Sequence, residues 1–455
     1  MPLSSAPTSN TGTLAARTPV TAGVRDWTCP FCPLLCDDIT IIVQDDGAPA
    51  TPGTDCPRLA HALTWFAGSP APAPAIDNVD TDLDSALNRA ADILRATKRP
   101  LFGGLATDVA GARALYPLAA GCGAILDHLH GDAMAASNAA LQDRGAFFTT
   151  LSEVRARADL LIVFCSTPSA KYPRFYERVL GGTEQPRELV FLGCPIDPAA
   201  QKTGNARLQG VLEEADPFDL LAIWSALAEG RGAASFSDNP GMAQALAVLL
   251  ERVSAARYTV VVYEPAALPG PHAALLIEAL HRIVKAINRT TRAGALALGG
   301  DDGALTVNQA VTWLSGFPLR TRVSKPTRLS GETSLDHDAT RYATRRLLEA
   351  REVDALLWVS SYQPEPLPQA LFSDIPVIVL GHPALRTMLG KRGASTVFIP
   401  VATPAIDSAG HVFRIDGSVV ASLAATRAST LPTLADIVER LHGALASTPA
   451  ARSQP

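Results

Sequence analysis

Four cysteines crowd the start of this 455-residue chain: Cys29, Cys32 and Cys36 in a C-x2-C-x3-C turn, and Cys56 20 residues later. Three sulfurs from one tight turn and a fourth returning from a hairpin can surround an iron–sulfur cubane, since each iron takes one protein sulfur. The same four ligands also satisfy a tetrahedral zinc ion, which has no redox duty. Both alternatives stay open on spacing alone. Cys122, Cys165 and Cys194 flank apolar strand-like runs and read as core residues. His128, His130 and Asp132 spell H-x-H-x-D after a short apolar run; they could ligate a metal, but such residues more often supply loop hydrogen bonds. There is no G-x-G-x-x-G with a following acidic residue and no P-loop, and the GGDDG run at 299–303 reads as a solvated turn.

The elements that must position these residues alternate. Continuous apolar runs bounded by turn residues predict strands at 100–104, 124–126, 160–165, 189–194, 259–263, 295–298, 355–360, 377–380 and 397–401. Helical spacing predicts helices at 82–97, 108–120, 217–228, 241–253, 271–288, 341–351 and 431–445. Unbroken apolar strands separated by helices imply parallel sheets covered on both faces, with more than one Rossmann-like unit. The Pro/Ala stretch 69–78 marks a boundary after the cysteine segment, and the Gly/Pro-dense stretch 299–331 reads as a domain crossover.

Composition narrows the function classes. With 39 basic and 44 acidic side chains the formal charge is -5, which argues against nucleic acid or an anionic membrane as the partner. Charged residues make up 18% of the chain, below the usual ~25%, and such a surface suits burial against other subunits. Residues 1–24 lack the apolar core of a signal peptide and read as a disordered tail, so the chain is expected in the cytoplasm, where clustered thiols suggest metal before disulfide.

The run TCPFCPLLCDDI at 28–39, with TDCPRLAHALTWF at 54–66, resembles the N-terminus of the catalytic B subunit of formylmethanofuran dehydrogenase, within the molybdopterin/tungstopterin oxidoreductase family. Further blocks keep the family's order: KRPLFGG (98–104), GAILD (123–127), ALQDRG (140–145), SEVRARADLLIVF (152–164), VNQAVTWLSGFP (307–318) and AIDSAGHVFRIDG (405–417). The resemblance implies an α/β, formate dehydrogenase/DMSO reductase-like fold of domains I to III, with Rossmann-like parallel sheets, a small N-terminal Cys-rich module and no C-terminal barrel. Its expected division is a tail at 1–24, the Cys-rich module at 25–75, a first α/β domain from 76–132 plus 291–445, an inserted α/β domain at 133–290, and a tail at 446–455.

One position departs from the family. Where the family carries a metal-ligating cysteine beside a histidine, counting from Asp127 without a gap gives Ala133 and Met134. A methyl group cannot ligate tungsten or molybdenum, and methionine cannot carry a proton. The resemblance, with this loss, implies the β subunit of the bacterial formyltransferase/hydrolase complex, acting as a scaffold without catalytic residues. In that complex a formyl group passes from formyl-tetrahydromethanopterin to a methanofuran-type carrier and is hydrolysed to formate. The implied partners are an amidohydrolase-like hydrolase subunit, a formyltransferase subunit, a further structural subunit and the carrier, with neither nucleic acid nor membrane. The implied metal ligands are Cys29, Cys32, Cys36 and Cys56, holding a [4Fe-4S] cluster or zinc, with no molybdopterin or tungstopterin. Lys171, Tyr172, Pro173 and Arg174 fall where the family approaches its pterin phosphates, and read as a vestigial loop. The alternative is a working dehydrogenase whose metal is held by His128, His130 or a nonprotein oxygen.

Overall fold

The computed structural model describes residues 23–66, 71–182, 186–204, 206–324 and 334–446. The tail expected at 1–24 lies outside them except for its last two residues, as do parts of the stretches 69–78 and 299–331 and all but the first residue of the tail at 446–455.

Two sheets form the body. In the larger, five parallel strands run in the order Ile125–Leu126, Pro100–Ala106, Ala355–Ser360, Val377–Gly381 and Thr396–Pro400. Antiparallel strands extend it to nine: Thr321–Val323 and Leu335–His337 beyond Ile125–Leu126, Ala75–Ile76 and Val79–Asp80 beyond Thr396–Pro400. The second sheet is wholly parallel, in the order Ala206–Val211, Arg187–Leu192, Leu160–Phe164, Thr259–Tyr263, Ala293–Ala297. Its central strands are buried at every residue, as are Pro100–Ala106 and Val377–Gly381. That burial on both faces is why these strands read as continuous apolar runs rather than alternating ones.

Helices cover both faces, and their starts are written in short polar side chains. Asp82 accepts from Ser85 N at 2.8 Å to open Leu83–Ala96, and Asp108 accepts from Gly111 N at 3.0 Å to open Val109–Cys122. Asp216 caps Pro217–Ala228, whose Pro217 sits in the first turn, where no N–H is needed. The mixed α/β architecture with parallel sheets agrees with the expectation. Against the expected division, the helix Gly131–Arg144 spans the junction at 132/133, and Ala293–Ala297, beyond residue 290, pairs with Thr259–Tyr263 in the five-stranded sheet.

The cysteine segment belongs to a separate three-stranded antiparallel sheet, Val24–Trp27, Ile39–Val43 and Pro49–Ala50, followed by the helix Pro57–Leu63. Trp27 Nε1 donates to Ala405 O at 3.0 Å, and Ile415 N donates to Pro33 O at 2.8 Å, tying this sheet to the C-terminal part of the chain. No helix of the described residues is long and apolar enough to cross a membrane.

Candidate functional site

The cysteine turn closes on itself: Cys29 N donates to Cys36 O at 2.9 Å and Leu35 N to Cys32 O at 3.1 Å. Leu35 takes the left-handed region at φ 47°, which folds the chain back so that Cys29, Cys32 and Cys36 are all buried. Cys56 is half-buried at the N-cap of the following helix. Burial pushes the Cys29 thiol well above its ordinary value, with Cys32, Cys36 and Cys56 adding to the effect. Burial lifts Cys32 to about 12 against the pull of Arg58, and Cys36 to about 11 against Arg174 and Arg178. Such thiols stay protonated unless a metal takes the proton's place.

The backbone N–H groups of Phe31 and Leu34 favour the thiolate form of Cys29 and Cys32 respectively, against the effect of burial. The residues thus fit a thiophilic metal in donor type and local polarity. Among the described residues, no three His, Cys, Asp or Glu side chains converge closely enough to hold an ion, so the turn is not a closed coordination sphere.

Arginines dock this turn to the body. Arg174 grips Asp38 through two bonds of 2.8 and 2.6 Å, Arg178 reaches Asp37 at 2.5 Å, and Arg58 Nε donates to Phe31 O at 2.6 Å. The 171–174 segment is tied into the body beyond Arg174: Lys171 pairs with Glu264, and Tyr172 OH donates to Asp301 Oδ2 at 2.9 Å.

A second centre forms around the GGDDG turn, which is not the solvated loop expected of it. Asp302 is buried, at φ 52°, between Gly300 at φ 90° and Gly303 at φ 76°. A Cβ on Gly303 would stand 2.2 Å from Thr107 O, so only glycine fits there. His130 Nε2 lies 2.9 Å from Asp302 Oδ2 and His128 Nε2 lies 3.2 Å from Asp302 O. His130 N donates to His128 Nδ1 at 3.0 Å, which makes His128 a neutral ring with its proton on Nε2. Burial drives the His128 pKa down to about 3, with His130 adding to the fall. Burial also opposes charge on His130, but the Asp302 carboxylate outweighs it and raises His130 above its ordinary value. Arg58 pairs with Asp301 at 2.7 Å and donates to Lys171 O at 2.9 Å, linking this turn to the cysteine segment.

The H-x-H-x-D residues do not converge. Asp132 faces Arg320 instead, and Arg320 also lies 3.3 Å from Asp127, whose other oxygen accepts from Thr344 N at 2.7 Å. The physical reason is the helix beginning at Gly131, which turns Asp132 away from the two histidines. Ala133 and Met134 follow in its first turn, both half-buried. A methyl group offers no donor at this position, so the residues do not fit a protein-ligated tungsten or molybdenum there.

Sequence reading missed a further set. In each sheet the strand order reverses at one point, between Pro100–Ala106 and Ala355–Ser360 and between Leu160–Phe164 and Thr259–Tyr263, where open α/β sheets hold ligands. Just past those strand ends lie the buried hydroxyls of Thr107, Ser361, Tyr362 and Ser166, none with a hydrogen-bond partner among the described residues. Polar residues directly after apolar strands were the available signal. Cys122 and Cys194 are buried as expected, and Cys165 is half-buried with φ 44°.

No protein-family model matches the chain. It is 29% identical over 379 residues, 80% of its own length and 95% of the relative's, to the B subunit of the Fhc formyltransferase/hydrolase complex of Methylorubrum extorquens. It is 25% identical over 417 residues, 87% of its length and 92% of the relative's, to the B subunit of the tungsten-containing formylmethanofuran dehydrogenase 2 of Methanocaldococcus jannaschii. The crystal structure of the Methylorubrum extorquens formyltransferase/hydrolase complex with methylofuran contains a chain that superposes with a TM-score of 0.67 at 27% identity, covering 82% of this chain and 98% of that one. This chain is thus related to the B subunits of formyltransferase/hydrolase complexes and of tungsten-containing formylmethanofuran dehydrogenases, the resemblance its own motifs carry.

Proposed function

We propose that the chain is a non-catalytic structural subunit of a cytoplasmic formyltransferase/hydrolase complex that converts formyl-tetrahydromethanopterin to formate through a formylated methanofuran-type carrier. One observation carries this reading: similarity to the complex's B subunit runs over 80% of the chain, while position 133 holds an alanine without a donor atom. Hydrolysis of a formyl amide to formate moves no electrons, so a subunit stripped of its redox centre is chemically sufficient there. Its partners on this reading are an amidohydrolase-like hydrolase, a formyltransferase and a further structural subunit. The reduced thiols of Cys29, Cys32, Cys36, Cys56, Cys165 and Cys194 are consistent with the cytoplasm.

The finer architecture follows the same reading, a Cys-rich module at 25–75, a first α/β domain of 76–132 plus 291–445 and an inserted one at 133–290, with the helix Gly131–Arg144 and the strand Ala293–Ala297 each assigned whole to the inserted domain, in the manner of domains I to III of formate dehydrogenase/DMSO reductase-like proteins. Cys29, Cys32, Cys36 and Cys56 hold a [4Fe-4S] cluster or zinc that draws the sulfurs together and fixes the module to the body, contributing stability rather than chemistry. No pterin is bound. Purification of the chain with its co-expressed partners, followed by assay of formate release and of bound pterin, tests the reading. Formate release by a pterin-free complex containing this chain supports it. A bound pterin dinucleotide with tungsten or molybdenum, or formyl oxidation with an electron acceptor, overturns it in favour of a working dehydrogenase.

A further inference from the structure

Away from the cysteine turn and the acidic turn, the helices Pro217–Ala228 and Ala273–Ile287 lie side by side on one face of the five-stranded sheet. They run in the same direction: Phe218 meets His272 at one end, with ring centroids 6.2 Å apart, and Arg289 pairs with Glu229 at 2.8 Å at the other. Between them opens a groove of about 640 Å³ lined by Phe218, Ala222 and Ala226 from one helix and Leu275, Ala279 and Arg282 from the other.

The residues describe what would fill it. Positions 218, 222 and 226 repeat every four residues and 275, 279 and 282 every three or four, so each set is one stripe of its helix. The helix Pro217–Ala228 carries a single charge, Asp219, yet leaves Phe218 39% exposed, and Leu275 opposite is 59% exposed. A helix apolar on nearly all sides is ordinarily covered on all sides. The small side chains at 222, 226 and 279 lower the floor enough for a third helix to approach at the usual ~8–10 Å. From Phe218 to Glu229 the groove is about 16 Å long, or about three helical turns.

Charge selects the occupant. Glu229 is taken by Arg289, whereas Arg282 has no ion pair among the described residues. Residues 1–22 and 447–455 of this chain contain no Asp or Glu, so neither segment supplies a side-chain carboxylate for it. We propose that the groove seats an amphipathic helix of about three turns from another subunit of the complex, with its apolar stripe on Ala222, Ala226 and Ala279 and a carboxylate against Arg282. This proposal rests on the subunit reading given above.

Hydrogen exchange of the free chain and of the chain co-purified with the hydrolase, formyltransferase and further structural subunits reads the groove directly. Assembly should slow amide exchange across 217–229 and 273–282 at least about tenfold. Ala222→Arg, at an exposed position, should weaken assembly by about tenfold with unchanged thermal stability of the free chain, and Arg282→Glu by about fivefold. A complex that forms while both helices exchange as in the free chain overturns the proposal, and that measurement needs no variant to fold. So does a homodimer that Ala222→Arg abolishes, since the occupant is then a second copy. Failure of the wild-type chain to join any of these subunits instead overturns the subunit reading itself.

Discussion

The cysteine turn and the acidic turn lie within one arginine of each other, since Arg58 bonds both Phe31 O and Asp301, yet they stand in opposite chemical states. In the acidic turn every strong charge has an answer: Asp302 has His130, Asp301 has Arg58 and Tyr172, and Glu264 has Lys171. In the cysteine turn the buried thiols have none of their own, and only backbone N–H groups and distant guanidinium groups favour their ionisation. A buried charge must be answered by its surroundings, whereas a buried thiol stays neutral until a thiophilic metal displaces its proton. His128 and His130 are thus spent on the acidic turn, while the N-terminal thiols keep their donor atoms unspent, which is the contrast behind the metal site proposed above.

The largest effect that would sharpen this contrast is on metal content. Cys29→Ser should reduce bound metal from about one zinc or about four irons per chain to near zero by elemental analysis. Purified wild-type chain with neither metal would break the comparison at once. Next in size is Gly303→Ala, which forces a side chain into a left-handed turn against Thr107 O and should cost roughly 3–4 kcal/mol in chemical denaturation. Asp302→Asn should cost about 2 kcal/mol, less than the roughly 3–5 of a fully buried pair because the His130 side chain is 41% exposed. A loss under about 0.5 kcal/mol would mean that the acidic turn is not a hub.

The smallest effect is a pH dependence. Asp302 is buried, which by itself raises its pKa, but the His130 contact outweighs burial and holds it below the ordinary carboxylate value. Its stabilisation is present above the unfolded value and lost as pH falls through the folded one. His130 is raised, so its contribution is full below the unfolded value near 6.5 and is lost as pH rises through the folded value. Asp301, Glu365 and His128 also face His130, and His128 stays neutral throughout this upper window. Stability should therefore decline by under about 1 kcal/mol as pH rises past neutrality, and His130→Gln should flatten that limb. An unchanged limb in the variant would assign it elsewhere.

Much of the frame was legible because local signals agreed. The helix predicted at 217–228 forms at those residues, where Asp216, Pro217 and an apolar run coincide, and the strand predicted at 160–165 forms as Leu160–Phe164. The helix Gly131–Arg144 escaped notice because its apolar residues are mostly alanines spread around it, with only Gly131 and Ala140 buried, which leaves no stripe to read. Edge strands such as Leu335–His337 are too short to show a pattern. The cysteine turn was visible because its ligands are neighbours in sequence. The acidic turn was not, because its partners come from 129 residues away in Tyr172, 172 in His130 and 174 in His128, and from farther still in Arg58. Long-range ion pairs leave no spacing in a single sequence.

The central claim, that the chain frames a hydrolytic complex without redox chemistry of its own, is tested most directly by measuring tungsten, molybdenum and pterin in the assembled complex while it releases formate from formyl-tetrahydromethanopterin. The account predicts steady formate release with both metals and pterin far below one per chain. One tungsten or molybdenum per chain, held with pterin and lost together with activity, would contradict it.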